Sequence, residues 1–302
     1  MYQLVEFPSL GAALRGRLYL PEAASRSLPV IIMAHGFSAT IDGMVADRFA
    51  EVFYEAGIAV LLYDHHSLGI SGGEPRQQLN RWTQARGYCD AIDFVTTRAE
   101  LDSDRIALWG DSMSGGEVLV VGAVDRRVKA VVAQVPACGR EFPPEDRDGS
   151  LFELIRATLL NADFLDMPTS TRGPMPVVSF DQVGTPSLLK PLTAFRWFIE
   201  YGARYGTHWE NRATVVTPET AAPFHPGLCA PHLSAAVLMM VAYDDEMPGA
   251  NSDVARRVYQ AAPEPKRLVE VDGGHFGLLH YPSELFTQAS QAQRGFLIEH
   301  LL

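Results

Sequence analysis

One serine stands in a sequence context that is typical of a catalytic nucleophile. An apolar stretch ends at Trp109, small residues follow at Gly110 and Ser114, two positions to either side of Ser112, and a helical pattern begins at once. Such a strand–turn–helix arrangement holds a serine hydroxyl out above the edge of a sheet. Ser114 replaces the glycine that is usual at its position. The pattern predicts that Ser112 is a nucleophile; the alternative is a serine that caps the following helix.

A serine nucleophile requires a general base and an acidic residue that orients the base. His275 lies among glycines, after the last predicted strand and before the last predicted helix. We predict that it is the base; a structural loop histidine is the alternative. The acid should follow the predicted strand that ends at Ala242, where Asp244 and Asp245 are both candidates.

Attack on a carbonyl also requires two N–H donors for the oxygen that becomes negative. One donor is predicted to be the backbone N–H of Met113, the residue after the nucleophile. The other is predicted to be the backbone N–H of Phe37, in the loop that follows the apolar stretch 30–34. His35 begins the same loop, and we predict a structural role for it.

Two other clusters suggest different chemistry, but each lacks the rest of its motif. Asp64, His65 and His66 are residue types that bind metals, yet no further ligand stands at a suitable spacing and there is no HExxH motif. A glycine-rich loop at residues 69–73 has neither a Walker lysine nor GxGxxG spacing. The sequence therefore predicts no metal site and no cofactor.

The elements that must position these residues are short apolar runs alternating with helical patterns. Unbroken apolar runs are typical of parallel strands that are buried on both faces. They lie at 30–34, 58–63, 105–109, 128–133, 236–242 and 267–271, and shorter alternating strands are predicted at 2–7 and 12–20. Helices are predicted at 42–56, 77–98, 114–124, 254–261 and 285–302. This alternation predicts an α/β protein with a doubly wound, mostly parallel sheet.

The alternation is interrupted between residues 139 and 231. This stretch contains a Pro- and Gly-rich run, a predicted helix at 151–160 and an aromatic helix at 194–205. It is too long and too structured for a loop, so we predict a cap inserted into a single domain of residues 1–302. Trp197, Phe198 and Tyr201 are predicted to form the packing face of the cap, and in part a surface for the substrate.

Composition and charge limit the partners and the compartment. The 302 residues are 47% hydrophobic and 20% charged, which is typical of a globular chain. The net charge of −11 argues against nucleic acid and against an anionic membrane surface as partners. Three cysteines without a CxxC motif and the lack of a signal-peptide pattern predict a cytoplasmic enzyme with free thiols. A homodimer through Leu301, Leu302 and the last predicted helix is a further hypothesis.

Taken together, these residues resemble the serine α/β-hydrolase superfamily. The nearest resemblance is to its dienelactone-hydrolase-like and X-prolyl-peptidase-like branch, which includes fungal polyketide transferases and thiohydrolases. It rests on the segments 35–40, 63–65, 72–77, 109–116 and 272–277. The resemblance implies an eight-stranded sheet, a Ser112–His275–Asp245 triad in which Asp245 is preferred over Asp244, and acyl transfer to water in two steps.

Two departures from that branch concern the pocket. Ser112 stands where dienelactone hydrolases proper have a cysteine nucleophile, and His66 stands where nearer relatives often have arginine. Because the branch is chemically diverse, the resemblance indicates the mechanism better than the substrate.

The predicted function is a carboxylic-ester hydrolase for a small or medium acyl substrate. Ser112 would attack an ester or thioester carbonyl, His275 would accept its proton, and the N–H groups of Met113 and Phe37 would stabilise the oxyanion. The alternatives are a thioesterase or acyltransferase of a biosynthetic pathway, a peptidase or amidase, and a non-catalytic binding protein on a hydrolase scaffold.

Overall fold

A computed structural model describes residues 2–22 and 27–302. Within these residues the strands are β1 (Tyr2–Ser9), β2 (Ala12–Tyr19), β3 (Leu28–Ala34), β4 (Ala59–Tyr63), β5 (Gln78–Leu79), β6 (Leu101–Asp111), β7 (Val128–Gln134), β8 (Thr169–Met175), β9 (Ala213–Pro218), β10 (Ala236–Ala242) and β11 (Lys266–Val271). The helices are α1 (Ala46–Glu55), α2 (Arg81–Thr96), α3 (Ser112–Val124), α4 (Ser150–Asn161), α5 (Leu192–Tyr201), α6 (Pro226–Cys229), α7 (Ser252–Ala261) and α8 (Glu284–Leu301).

The central sheet has eight strands in the order β1-β2-β4-β3-β6-β7-β10-β11. The first two strands pair antiparallel, and β2 is also antiparallel to β4. The remaining neighbours are parallel, so their carboxyl ends lie at one edge of the sheet. Each predicted strand is present, which confirms the mostly parallel eight-stranded sheet.

Burial on both faces explains why these strands could be predicted from the sequence. Every residue of β4 and β10 is buried, as are those of β3 from residue 29 onward. One layer of the core packs α2, α3 and α7 against the sheet, and the other packs α1 and α8 against its opposite face. Helices therefore cover both faces, as the unbroken apolar runs require.

The helix predicted at 77–98 begins four residues later, at Arg81. The Asn80 side chain accepts hydrogen bonds from the N–H groups of Trp82 and Thr83, so it caps the helix and ends the preceding extended segment. Gln78 and Leu79 pair with β9 instead of joining the helix. Tertiary pairing outside the helix therefore sets its start.

The segment between β7 and β10 supplies two strands of a second sheet that the sequence analysis missed, and β5 supplies the third. Its three strands have the order β5-β9-β8. Six of the seven residues of β8 are exposed, so this edge strand lacks the apolar alternation by which strands are found in a sequence. The predicted helices at 151–160 and 194–205 correspond to α4 and α5, the latter ending four residues early.

The hypothesis of a dimer contact through the last two residues is only partly compatible with the structure. Leu301 is 2% exposed and belongs to the core, whereas Leu302 is 62% exposed. A contact made by both leucines is therefore wrong, and dimerisation itself stays a prediction. All three cysteines are free, as predicted, and the structure shows that they are also buried. Across the described ranges, no helix combines the length and apolarity needed to cross a membrane.

Candidate active site

The side chains predicted to do chemistry meet at one cavity of about 540 Å³. Ser112, Met113, Phe37 and His275 all line it. They follow β6, β3 and β11, whose carboxyl ends share one edge of the sheet, which is where open α/β sheets bind their ligands. The volume suits a small-molecule substrate.

Ser112 occupies a strained turn between β6 and α3. Its φ is +53°, in the left-handed region that residues with a side chain rarely adopt. A Cβ atom on Gly110 would lie 2.4 Å from the carbonyl oxygen of Ser114, so only glycine fits there without a shift. The turn thus has the two features of the predicted nucleophile elbow, namely a strained serine and a close backbone approach.

Ser114, the residue that replaces the usual glycine, joins three elements below this turn. Its hydroxyl donates to the carbonyl oxygen of His35 at 2.7 Å. The same oxygen lies 2.8 Å from His65 Nε2 and 3.0 Å from a Glu117 carboxyl oxygen. A hydroxyl has a single proton, so Ser114 donates to either the His35 carbonyl or Glu117, and it accepts from Glu117 only when that carboxyl is protonated.

The protonation of Glu117 and His65 agrees with that requirement. Burial raises the pKa of Glu117 to about 8, although Arg81 nearby opposes the shift, so the carboxyl is protonated and can donate at neutral pH. Burial lowers the pKa of His65 to about 3, so its imidazole is neutral and its Nε2–H can donate. Neutral groups therefore support the turn from below.

Glu117→Gln should make the stability of the protein less sensitive to a rise in pH from about 4.5 to about 8. Between the unfolded pKa of about 4.5 and the folded pKa of about 8, the folded chain holds a proton that the unfolded chain has released. The stabilisation is therefore complete below about pH 4.5 and is lost as the pH rises through 8. Because the glutamine amide has no such proton to lose, Tm of the wild type should fall relative to the variant between pH 5.5 and pH 8.5, as scanning calorimetry would show.

The exposed Glu153 provides the control for this comparison. Glu153→Gln removes a carboxyl from the surface, so its Tm should follow that of the wild type at every pH. Parallel Tm curves for Glu117→Gln and the wild type would show that residue 117 is ionised in the folded protein.

His275 is held by the predicted acid. Its Nδ1 lies 2.7 Å from Asp245 Oδ2, and both side chains are 2% exposed. The carboxylate can only accept, so Nδ1 carries the proton and Nε2 is left as the acceptor. Asp244 instead accepts from the N–H of Gly274 at 2.9 Å, and Glu246 accepts from the N–H of His275 at 2.8 Å. Of the two candidate aspartates, only Asp245 contacts the imidazole.

The structure brings Ser112 and His275 to the same cavity without a direct hydrogen bond between them. Both side chains line its wall, and none of the hydrogen bonds among the described residues joins the hydroxyl to the imidazole. Catalytic hydrogen bonds are often long before substrate binds and tighten in the Michaelis complex. The arrangement therefore leaves Nε2 available for the serine proton.

The loop predicted to supply the second oxyanion donor packs directly on the serine turn. A Cβ atom on Gly36 would lie 2.6 Å from the carbonyl oxygen of Asp111 and 2.9 Å from Ser112 Cβ. Within the described chain, the N–H of Phe37 donates no hydrogen bond, and that of Met113 lies in the first turn of α3, where helix N–H groups have no partner within the helix. Both N–H groups are free to bind an anionic oxygen.

His35 and Asp111 fix this loop. His35 Nε2 accepts from the N–H of Ala46 at 3.0 Å, so Nδ1 carries the proton and donates to Asp111 Oδ1, also at 3.0 Å. The N–H of Gly36 donates to the same carboxylate oxygen at 3.1 Å. Both nitrogens of His35 are thus engaged in holding the loop, which agrees with its predicted structural role.

Gly36→Ala should lower kcat by about 100-fold, because the added methyl group would push the loop, and with it the Phe37 N–H, away from the serine turn. The φ of Gly36 lies outside the left-handed region, so the effect would come from the close approach and not from backbone strain. Steady-state hydrolysis of 4-nitrophenyl butyrate would measure it.

Gly295, which has open space around its Cα in α8, is the matched control. Gly295→Ala should leave kcat within twofold and raise stability by about 0.5–1 kcal/mol, the usual difference between alanine and glycine in a helix. Equal rates for the two alanine variants would contradict the proposed position of the donor.

The cavity wall also contains residues that the sequence analysis assigned only in part or missed. Trp197 and Phe198 are almost fully buried and also line the cavity, whereas Tyr201 is buried without lining it. The cations Arg81, Arg140, Arg172 and Lys190 line it as well. These four are far apart in the sequence and follow no periodic pattern, so nothing in the sequence indicated that they line one cavity.

Comparisons with known proteins identify relatives of this chain. The family model described as X-Pro dipeptidyl-peptidase (S15 family) matches residues 11–143. A thiohydrolase of Aspergillus aculeatus, aneE, is 31% identical over 291 residues, which are 92% of this chain and 87% of that protein. A polyketide transferase of Aspergillus fumigatus, af380, is 27% identical and covers 98% of both chains.

A solved structure shows the same fold over the whole chain. The crystal structure of the α/β hydrolase GrgF from a Penicillium species superimposes with a TM-score of 0.72, at 27% identity, over 100% of this chain and 99% of that chain. The predicted α/β-hydrolase fold and the predicted branch are both confirmed. The chain therefore belongs to the family of α/β hydrolases that includes the thiohydrolases and polyketide transferases.

Proposed function

We propose that this protein is a serine hydrolase that cleaves an ester or thioester of a small or medium acyl substrate through an acyl-enzyme on Ser112. The observation that carries the proposal is the pairing of His275 Nδ1 with Asp245 at the cavity that also contains the strained Ser112. That pairing leaves Nε2 as the base, which an unassisted serine hydroxyl requires near neutral pH.

Acylation would begin with attack of the Ser112 hydroxyl on the substrate carbonyl. His275 Nε2 accepts the hydroxyl proton, and Asp245 stabilises the imidazolium that results. The carbonyl oxygen becomes negative and accepts hydrogen bonds from the N–H groups of Phe37 and Met113. Collapse of the tetrahedral intermediate breaks the bond to the leaving alcohol or thiol, which takes the proton from His275.

Deacylation would repeat these steps with water. His275 removes a proton from the water molecule, the resulting hydroxide attacks the acyl-serine carbonyl, and the same N–H groups hold the second oxyanion. Release of the carboxylic acid returns the proton to the Ser112 oxygen. Besides water, the proposed cycle needs only Ser112, His275, Asp245 and the two backbone N–H groups.

Residues 139–231 would act as a cap within the single domain. They supply Trp197 and Phe198 to the cavity wall, together with the stretch 188–191. These contacts support the interpretation of the segment as a cover for the acyl group, and the partly apolar wall suits a small or medium chain.

Transfer of the acyl group to an acceptor other than water is the second candidate. The af380 polyketide transferase, similar over 98% of both chains, favours it. The chemistry would be identical up to the acyl-enzyme, and an alcohol would replace water in the second half.

A set of matched butyryl substrates tests the proposal. The protein would be incubated with 4-nitrophenyl butyrate, butyryl-N-acetylcysteamine and butyryl-4-nitroanilide, each with and without a primary alcohol. We expect turnover of the ester and the thioester, little turnover of the amide, and butyric acid as the product by mass spectrometry. An ester of the added alcohol as the main product would establish the transferase, and preferential cleavage of the anilide would contradict the ester or thioester assignment.

A further inference from the structure

Three cations surround the mouth of the cavity that contains Ser112. Arg140, Arg172 and Lys190 are exposed and line this cavity, and we refer to them as the cationic rim. All three come from the segment between β7 and β10. Among the described residues, Asp111 is the single acidic side chain in the cavity lining, and its Oδ1 already accepts hydrogen bonds from the His35 ring and a backbone N–H.

The rim cations have no acidic partner. Over residues 2–22 and 27–302, no carboxylate lies within ion-pair distance of any of the three. Some arginines on other surfaces are paired: Arg86 lies 2.8 Å from Asp90, and Arg127 lies 2.7 Å from Asp93. The charge of the rim is therefore available to a ligand.

The backbone that carries the rim is anchored. The residues before Arg140 and Lys190 each donate a backbone hydrogen bond, to the carbonyl oxygens of Gly249 at 2.8 Å and Val177 at 2.9 Å. Arg172 lies in β8, which is paired with β9. Because the Cα positions are already held, the backbone loses little conformational freedom when the side chains bind a ligand.

The positive charge of the rim contrasts with the negative net charge of the whole chain. A net charge of −11 repels anionic solutes, so an anionic substrate would reach the cavity slowly unless positive charge were concentrated there. Lys and Arg side chains bind carboxylates and phosphates through charge-assisted hydrogen bonds, which are stronger than neutral ones. A purely neutral acyl ester would have no use for three unpaired cations at the entrance.

We propose that the cationic rim binds an anionic group of the substrate, a carboxylate or a phosphate, while the acyl carbonyl lies at Ser112. This inference rests on the proposed function, and it adds the class of substrate: acyl esters or thioesters that carry negative charge away from the reacting bond. The negative charge of the substrate can lie on either of two groups: a carboxylate at the far end of the acyl chain, or a phosphate in the leaving group.

Two matched pairs of substrates distinguish these sources. In the first pair, 4-nitrophenyl hemiglutarate carries a terminal carboxylate, and 4-nitrophenyl valerate has an acyl chain of the same length without one. In the second, butyryl-coenzyme A carries phosphates on the leaving group, and butyryl-N-acetylcysteamine does not. We expect kcat/KM for the anionic member to exceed that for the neutral member in at least one pair, and added salt to reduce the difference.

A triple variant, Arg140→Gln/Arg172→Gln/Lys190→Gln, removes the positive charge of the cationic rim. It should lower the anionic-to-neutral ratio of kcat/KM by about tenfold or more, as expected when hydrogen bonds between charged groups are lost. The matched control is Arg126→Gln/Lys129→Gln/Arg294→Gln, which makes the same change in net charge. Arg126 and Lys129 lie at the amino end of β7, and none of the three lines the cavity. The control should keep the wild-type ratio.

Binding measured without turnover separates this proposal from the proposed function. Ser112→Ala, with and without the rim substitutions, would be titrated with monomethyl glutarate and with coenzyme A by calorimetry. A loss of affinity of about tenfold for either ligand on removal of the rim would support the anionic subsite, even if the wild type hydrolysed none of the four substrates. Affinities and kcat/KM ratios that are unchanged by the rim substitutions would overturn it.

Discussion

Ser112→Ala is expected to lower kcat for 4-nitrophenyl butyrate by about 10⁴-fold or more and to abolish labelling by a fluorophosphonate probe. The loss would be large because the acyl-enzyme cannot form without the hydroxyl, and His275 would then have no nucleophile to activate. KM should change little, since the alanine methyl group keeps most of the cavity wall. Steady-state kinetics and mass spectrometry of the labelled protein would measure both effects.

Ser290→Ala is the control for the labelling experiment. This serine is buried in α8, outside the cavity, and its hydroxyl donates to the carbonyl oxygen of Thr287. The variant should label like the wild type. Labelling or near-wild-type turnover by Ser112→Ala would show that another residue is the nucleophile, and the mechanism proposed above would then be wrong.

Ser112 and the strands that flank it were predictable because local sequence determines them. The turn requires small residues at fixed positions around the serine, and β6 before it is buried along its second half. A Cβ atom would be excluded at Gly110, so the glycine that marked this turn is explained by a close backbone contact, and the same holds at Gly36. Features imposed within a few residues of each other leave a pattern that can be read without a structure.

The rest of the site depends on contacts between distant segments. Arg140, Arg172 and Lys190 meet only because the segment between β7 and β10 folds back over the cavity, and β8, which carries Arg172, is an exposed edge strand without apolar alternation. Ser114 illustrates the same limit at short range. Its departure from glycine is explained by hydrogen bonds to His35 and His65, which lie 79 and 49 residues away in the chain.

The spacing of the residues left the choice between Asp244 and Asp245 open, although the family resemblance preferred Asp245. Adjacent residues in an irregular turn point in different directions, and nothing in their spacing determines which one faces the histidine. In the structure, one carboxylate contacts the imidazole and its neighbour contacts a backbone N–H. The two side chains are chemically identical, so they provide a matched pair for mutagenesis.

Asp245→Asn should lower kcat by about 10³–10⁴-fold with little effect on KM, because Asp245 does not line the cavity. The asparagine amide would donate to His275 Nδ1, so the imidazole proton would move to Nε2, and the base could no longer accept the proton of Ser112. In Asp244→Asn the amide oxygen can still accept from the N–H of Gly274, so kcat should fall by less than about tenfold. Steady-state kinetics of the two variants, with circular dichroism to verify folding, would measure the contrast. Equal losses in the two variants would mean that the carboxylates share a structural role in this turn, and a larger loss at Asp244 would assign the orienting acid to that residue.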